Sequence, residues 1–330
     1  MVIGYLNSFK TLIENVDYWT LNNQSDYGLK RIAEYFERYP NSAALYYAQG
    51  LLFEKTGNAN DAKICYEKAY DGNPDYFSGI ELYDKAVTML NSVNDTASEE
   101  NETTIATALK QLKKAIDYLE KAHKNVPEDG LAKEAMMNSY VAVINFYIAT
   151  NQFNPALEYL AIAIEHQPSN ESFFFAQGYL FEKIGKSDEA AVSYNKAIEI
   201  NPEYFEPLLN LGIQIYNKAI EMGKIANEIP TNKPKEYDVA IVAALEHMNM
   251  SVPYFEKAYE IRPDDSYVMN VLMECYTKLR RTHPEYNEKY NEIKAKLDST
   301  MQQGNKDTTT IINRFQSWLS GFFSFKRTDN

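Results

Sequence analysis

The chain has 330 residues, 45% of them hydrophobic, which is enough apolar material for a sizeable core. Its formal charge of −13 and sequence pI of about 4.9 leave an excess of carboxylates, so a phosphate backbone is excluded as the main partner and a basic or mixed-charge one is accommodated. With 13 glycines and 12 prolines it is neither collagen-like nor disordered throughout.

Cys65 and Cys275 are too few and too far apart for a disulfide framework. Each sits in a helical pattern and reads as a small core residue, as suits a reducing compartment. The start, MVIGYLNSFK, lacks a basic region followed by an apolar run, so no signal peptide is read. No stretch reaches the ~18 uninterrupted apolar residues of a membrane span. A cytoplasmic location is expected, and the Asn-x-Ser/Thr triplets at Asn23, Asn94, Asn101, Asn170 and Asn249 are then chance matches.

In chain order, residues 1–42 carry a worn repeat, with Gly28, Ile32, Tyr35 and Pro40 at a spacing that recurs downstream. From Leu45 runs LYYAQGLLFEKTGNANDAKICYEKAYDGNPDYF. Tyr46, Gly50 and Phe53 fall at i, i+4, i+7 on a first helix, and Ala62, Tyr66 and Ala69 do the same on a second. Gly50, Ala62 and Ala69 let two antiparallel helices approach closely, with Tyr46, Phe53 and Tyr66 filling the space around them. Gly57 ends the first helix and Pro74 follows the second. Next comes a stretched repeat. It opens at Asp75 with DYFSGIELYDKAVTML, meets an acidic break (NSVNDTASEENETT) read as mobile, and resumes in a long helix with Ala115, Leu119, Ala122 and Pro127. A closing repeat with Ala156, Leu160, Ala163 and Pro168 completes a first triplet, residues 43–170.

A second triplet, residues 171–299, begins at a constant offset of 128 residues. Gly178, Phe181, Gly185, Ala190, Tyr194, Ala197 and Pro202 pair with Gly50, Phe53, Gly57, Ala62, Tyr66, Ala69 and Pro74. Its stretched repeat carries Leu208, Leu211, Gly212 and Ile215, a polar break (NEIPTNKPKEYD), and a long helix with Ser251, Phe255, Ala258 and Pro263. Pro253 should kink that helix or end it just before. The segment from Asp265 to Leu297 reads as a terminal pair with a polar outer face, a solenoid cap. Residues 300–310 read as a linker and 311–330 as an amphipathic segment. Ile311, Ile312, Phe315, Trp318, Leu319, Phe322 and Phe323 make its apolar stripe, with Arg314, Lys326 and Arg327 beside it. Three readings stand for it: a cap on the solenoid, a membrane-interface helix, or a ligand for a partner or for this chain's own groove.

These spacings resemble the tetratricopeptide repeat, ~34 residues in two helices with W-x2-L-G-x2-Y then A-x3-F-x2-A-x4-P. Gln49 and Gln177 stand where that pattern has Leu, and the second-helix half recurs six times over roughly residues 9–300. The layout also resembles that of uncharacterised tetratricopeptide proteins of Bacteroidota. The resemblance implies an all-α, right-handed superhelical solenoid of about seven hairpins, two of them with elongated helices.

Catalytic and metal motifs are not found. His123, His166, His247 and His283 are scattered, with no H-E-x-x-H or i, i+4 ligand pair. His123 and His166 lie near ends of second helices, where a His favourably meets the dipole. No nucleophile elbow, P-loop or dinucleotide fingerprint occurs. Asp188 and Glu189 follow Ser187, a candidate N-cap, and read as first-turn carboxylates rather than an acid/base dyad. The reading is therefore non-enzymatic, with no cofactor and no metal.

The resemblance implies that first helices line a concave surface. The stripe beside the core there is Tyr47, Leu51, Glu54 and Lys55, then Val141, Asn145 and Ile148 in the first triplet. In the second it is Phe175, Tyr179, Glu182 and Lys183, then Leu209, Ile213 and Tyr216. Where the family clamps a terminal carboxylate with Lys, Arg and Asn on successive first helices, the equivalent stripe here carries Tyr47, Leu51, Phe175 and Tyr179, so that mode is expected to be absent. The expected function is a protein–protein interaction scaffold for an extended or helical segment with hydrophobic anchors and some positive charge. The alternatives are a membrane-surface adaptor touching lipid through 311–325 (Phe315, Trp318, Leu319, Phe322, Phe323) and an enzyme with its site in the stretched hairpins. Nucleic acid is not expected as a partner, and the sequence leaves the oligomeric state open.

Overall fold

The computed structural model describes residues 9–92, 99–125 and 131–302, and every regular element among them is a helix. The chain divides into two compact units, Met1–Tyr159 and Leu160–Asn330. The first holds α1 (Phe9–Leu21), α2 (Ser25–Arg38), α3 (Ala43–Lys55), α4 (Ala59–Gly72), α5 (Pro74–Asn91), α6 (Glu99–Asn125), α7 (Leu131–Ala149) and the start of α8 (Phe153–His166). The second holds the rest of α8 and α9 (Glu171–Lys183), α10 (Ser187–Ile200), α11 (Phe205–Asn227), α12 (Pro234–Ile261), α13 (Ser266–Leu279) and α14 (Tyr286–Gln302). Within each unit, helices neighbouring in sequence pack as hairpins: α3 on α4 and α5 on α6, then α9 on α10 and α11 on α12. This is the all-α repeat architecture that the spacing implied.

The turns follow from local chemistry. Gly57 and Gly185 take φ of +83° and +76°, the left-handed conformation that ends a helix. The next amide then reaches back, Asn58 to the Phe53 carbonyl and Lys186 to that of Phe181, each at 2.8 Å. The Ser42, Asn170 and Asp265 side chains cap α3, α9 and α13. Ser187 is instead the first residue of α10, after Lys186, so it is not the cap; Asp188 and Glu189 do lie in the first turn.

The departure from the repeat pattern at Gln49 and Gln177 has a structural reason. Each glutamine reaches across its hairpin to the small polar residue of the second helix. Ser193 Oγ donates to Gln177 at 3.0 Å, and Cys65 Sγ lies 3.4 Å from Gln49 Oε1. A polar pair replaces an apolar contact, and both partners are satisfied. On α3 the buried residues are Ala43, Ala44, Leu45, Ala48, Gly50 and Leu52, so Gly50 is covered as expected, while Tyr46 and Phe53 are only partly covered and Leu45, Ala48 and Leu52 carry much of the core contact.

The two stretched repeats differ in register. α11 starts at Phe205 with Pro207 in its first turn, where a missing N–H costs nothing. An earlier start would need a bond from residue 207 to the Glu203 carbonyl, which proline cannot make. The first triplet has Gly79 at that position, and α5 starts directly at Pro74, capped by the buried Asn73 side chain. The close contact then shifts. Gly79 lies against Leu119 of α6, as Gly212 lies against Phe255 of α12. The constant offset between the triplets would have put Asp84 there. One further expectation is corrected: α6 already begins at Glu99, inside the stretch read as a break. Of the two outcomes expected at Pro253, the helix does not end there, and α12 runs on through it.

In the second unit, Leu208, Val252, Phe255, Leu272 and Tyr276 centre one apolar cluster, and Phe175, Tyr194 and Leu211 another. Each large buried side chain contributes ~1.5–3 kcal/mol by leaving water. Both cysteines are free and buried, and burial pushes the Cys275 thiol up to about 12, which makes it an inert core residue. Among the described residues no helix is long and apolar enough to cross a membrane, and no cluster of His, Cys, Asp or Glu is arranged to hold a metal. Residues 303–330, with Phe315, Trp318, Leu319, Phe322 and Phe323, lie outside the described residues.

Candidate functional site

In the first unit, Tyr47 of α3 is half-buried between two neighbours. Its ring centre lies 5.4 Å from that of Tyr66 on α4 and 5.8 Å from that of Phe77 on α5. Burial, and then the charges of Asp84 and Glu54, raise its pKa above the ordinary value. Asp84 of α5 thus joins this face, and burial raises its own pKa as well. Leu51, Val141 and Asn145 are partly accessible. Glu54 is engaged inside the hairpin, accepting the Tyr66 hydroxyl, and Lys55 pairs with Asp17 of α1 at 3.1 Å. Ile148 is buried, at 8% exposure, and belongs to the core rather than to a ligand face.

In the second unit, Tyr179 of α9 is half-buried with the Lys183 ammonium 5.1 Å from its ring centre. Glu182 accepts the Tyr194 hydroxyl at 2.9 Å. Partial desolvation raises the Glu182 pKa, and that hydrogen bond and Lys183 only partly offset the rise. Leu209, Ile213 and Tyr216 of α11 lie against the larger core cluster with part of each side chain accessible. Phe175 is corrected. It is fully buried, its ring centre 5.7 Å from that of Tyr194 and 5.5 Å from that of Tyr204, both in tilted geometry. Adjacent positions on a helix differ by about 100° of rotation. The next hairpin covers the face that carries Phe175, so the residue is core.

Sequence reasoning missed α13. Burial, and then Glu274 of α13, raise the Tyr216 pKa above its ordinary value; Glu274 pairs with Lys278 at 3.5 Å, and Tyr267 is half-buried nearby. Tyr267, Val271 and Glu274 are spaced i, i+4, i+7 beside the buried Val268, Leu272 and Cys275. That spacing was visible, but the terminal pair was read as a cap alone. Each unit therefore presents half-buried tyrosines on first helices, next to carboxylates: Tyr47 with Asp84, Tyr179 near Glu182, Tyr216 with Glu274. Nothing in either set lines up a nucleophile, a base and an orienting group. What such a face can do is bury apolar side chains against aromatic rings and meet a cation at its edge.

Comparison with known proteins fits the repeat. The profile described as "Tetratricopeptide repeat" matches residues 43–76, and that described as "TPR repeat" matches residues 178–218. A TPR repeat-containing protein of Methanocaldococcus jannaschii is 31% identical over 67 residues, 20% of this chain and 20% of that protein. A tetratricopeptide repeat-containing protein of Caenorhabditis elegans is 21% identical over 162 residues, 48% of this chain and 20% of that one. The match thus spans a fifth of each of these curated relatives. Among solved structures, the C-terminal part of a TPR repeat-containing protein from Cytophaga hutchinsonii is similar at 13% identity. Its TM-score is 0.45, over 89% of this chain and 96% of that one.

Proposed function

We propose that this chain, which belongs to the tetratricopeptide-repeat family, is a non-enzymatic scaffold that binds a protein segment on the first-helix face of each unit. The observation that carries the reading is the recurrence of a half-buried tyrosine beside a carboxylate on α3, α9 and α11. Tyrosine offers large contact area with little side-chain entropy to lose, and suits the centre of an interface. The adjoining carboxylates and the net charge of −13 favour a partner with hydrophobic anchors and Lys or Arg beside them.

A displayed random-peptide library selected on the full chain tests this. Enrichment of sequences pairing one or two large apolar residues with Lys or Arg supports the reading. Enrichment of acidic sequences contradicts it.

A further inference from the structure

The same hairpin is built twice in this chain, and its second helix is covered in one copy and left open in the other. In the second unit α11 lies along α10. Leu211 and Ile215 join the cluster of Ala190, Tyr194 and Ala197, Asn210 donates to the Tyr194 hydroxyl at 3.2 Å, and Gln214 donates to the Ser187 carbonyl. Tyr194 is fully buried as a result.

In the first unit the corresponding face of α4 borders an open pocket of about 660 Å³, within the ~300–1,000 Å³ range of ligand sites. Ala62, Tyr66 and Tyr70 form its apolar floor. Tyr66, the counterpart of Tyr194, is only half-buried, and Tyr70 is 51% exposed. Among the described residues no amide plays the part of Asn210 toward Tyr66. The early start of α5 at Pro74 gives α5 a different register here, with Phe77 set between Tyr47 and Tyr70 at one end of α4. The rim holds three carboxylates, Glu54, Glu67 and Asp71, against one ammonium, Lys63.

We infer that this seam on α4 is a second docking site, separate from the first-helix face, and that its occupant is a basic amphipathic helix of a partner protein. Its form follows from what fills the equivalent space in the second unit, a helix offering two aliphatic side chains four residues apart and a hydrogen-bond donor toward the tyrosine hydroxyl. Its charge follows from the rim, where a Lys or Arg meets Glu67 and Asp71 and the aliphatic pair covers Tyr66 and Tyr70.

The test is fluorescence anisotropy of the full chain with a labelled helical peptide of leucine and lysine, its leucines recurring at i, i+4. A counterpart with glutamate for lysine serves as control. Glu67→Lys with Asp71→Lys reverses the rim at exposed positions, and Ala59→Trp fills the pocket from its edge without touching the core. The expected result is that the basic peptide binds the wild type and binds both variants roughly tenfold more weakly, with Met250→Ala, at an exposed position of α12 outside both faces, unchanged. Equal binding of the acidic peptide overturns the proposal. So does loss on Tyr179→Ala with none on rim reversal, which would leave the first-helix face as the peptide's site. Light scattering showing a dimer that rim reversal converts to a monomer also overturns it, by making a second copy the occupant.

Discussion

Tyr194 lies so close to Gly178 that a methyl group placed on the glycine would sit 2.5 Å from the tyrosine ring. Gly50 and Tyr66 repeat the relationship at 2.6 Å. Gly178→Ala must push a fully buried tyrosine out of its site, which costs ~1–3 kcal/mol. Gly223 of α11 meets nothing within 4 Å, so Gly223→Ala removes only a helix-weakening residue and adds roughly 0.5–1 kcal/mol. Urea unfolding of the two variants reads both signs.

The Glu182 carboxyl gives a pH dependence of definite sign. Its pKa is higher in the folded chain than in the unfolded one. The folded state therefore holds the proton more tightly, and stability is lost as pH rises through the window just above the ordinary Glu value of ~4.3. Glu182→Gln removes this contribution. Thermal melts from acid to neutral pH are expected to show a smaller decline in Tm across that window for the variant than for the wild type.

Asn249 ties α12 to the turn before α14. Its Oδ1 accepts the Tyr286 hydroxyl at 2.6 Å, which leaves Nδ2 to donate to His283 Nε2 at 3.3 Å. The imidazole then carries its proton on Nδ1, toward Thr282 Oγ1 at 3.0 Å. Asn249→Ala strips partners from a tyrosine and a histidine at once, and is expected to cost ~1–3 kcal/mol. Hydrogen exchange should quicken first in α14. Met250→Ala, beside it but 58% exposed, should change stability by less than ~0.5 kcal/mol.

Much of this fold was legible in the sequence because its signals are local. Gly57 and Gly185 end helices by backbone conformation, and Gly50 and Gly178 admit a ring at fixed spacing. What was not legible depends on the next element. Phe175 and Tyr179 lie four residues apart on one stripe of α9, and only the packing of α11 decides that the first is core and the second accessible. The different starts of α5 and α11 trace to Gly79 and Pro207, a visible difference whose consequence appears only when the helices pack. Glu54 and Lys55 read as rim charges, yet one accepts the Tyr66 hydroxyl and the other pairs with Asp17.

The central claim is that the tyrosine-bearing first-helix faces bind a partner segment. Its most direct test is the Kd of a library-selected peptide for the full chain, measured by titration calorimetry with the wild type, Tyr179→Ala and Ile213→Glu. The account predicts at least about tenfold weaker binding, ~1.4 kcal/mol or more, either for Tyr179→Ala and Ile213→Glu, if the second unit holds the peptide, or for Tyr47→Ala, if the first does, with an unchanged Tm for Tyr179→Ala. Unchanged affinity in both variants, together with unchanged affinity in Tyr47→Ala, would contradict it.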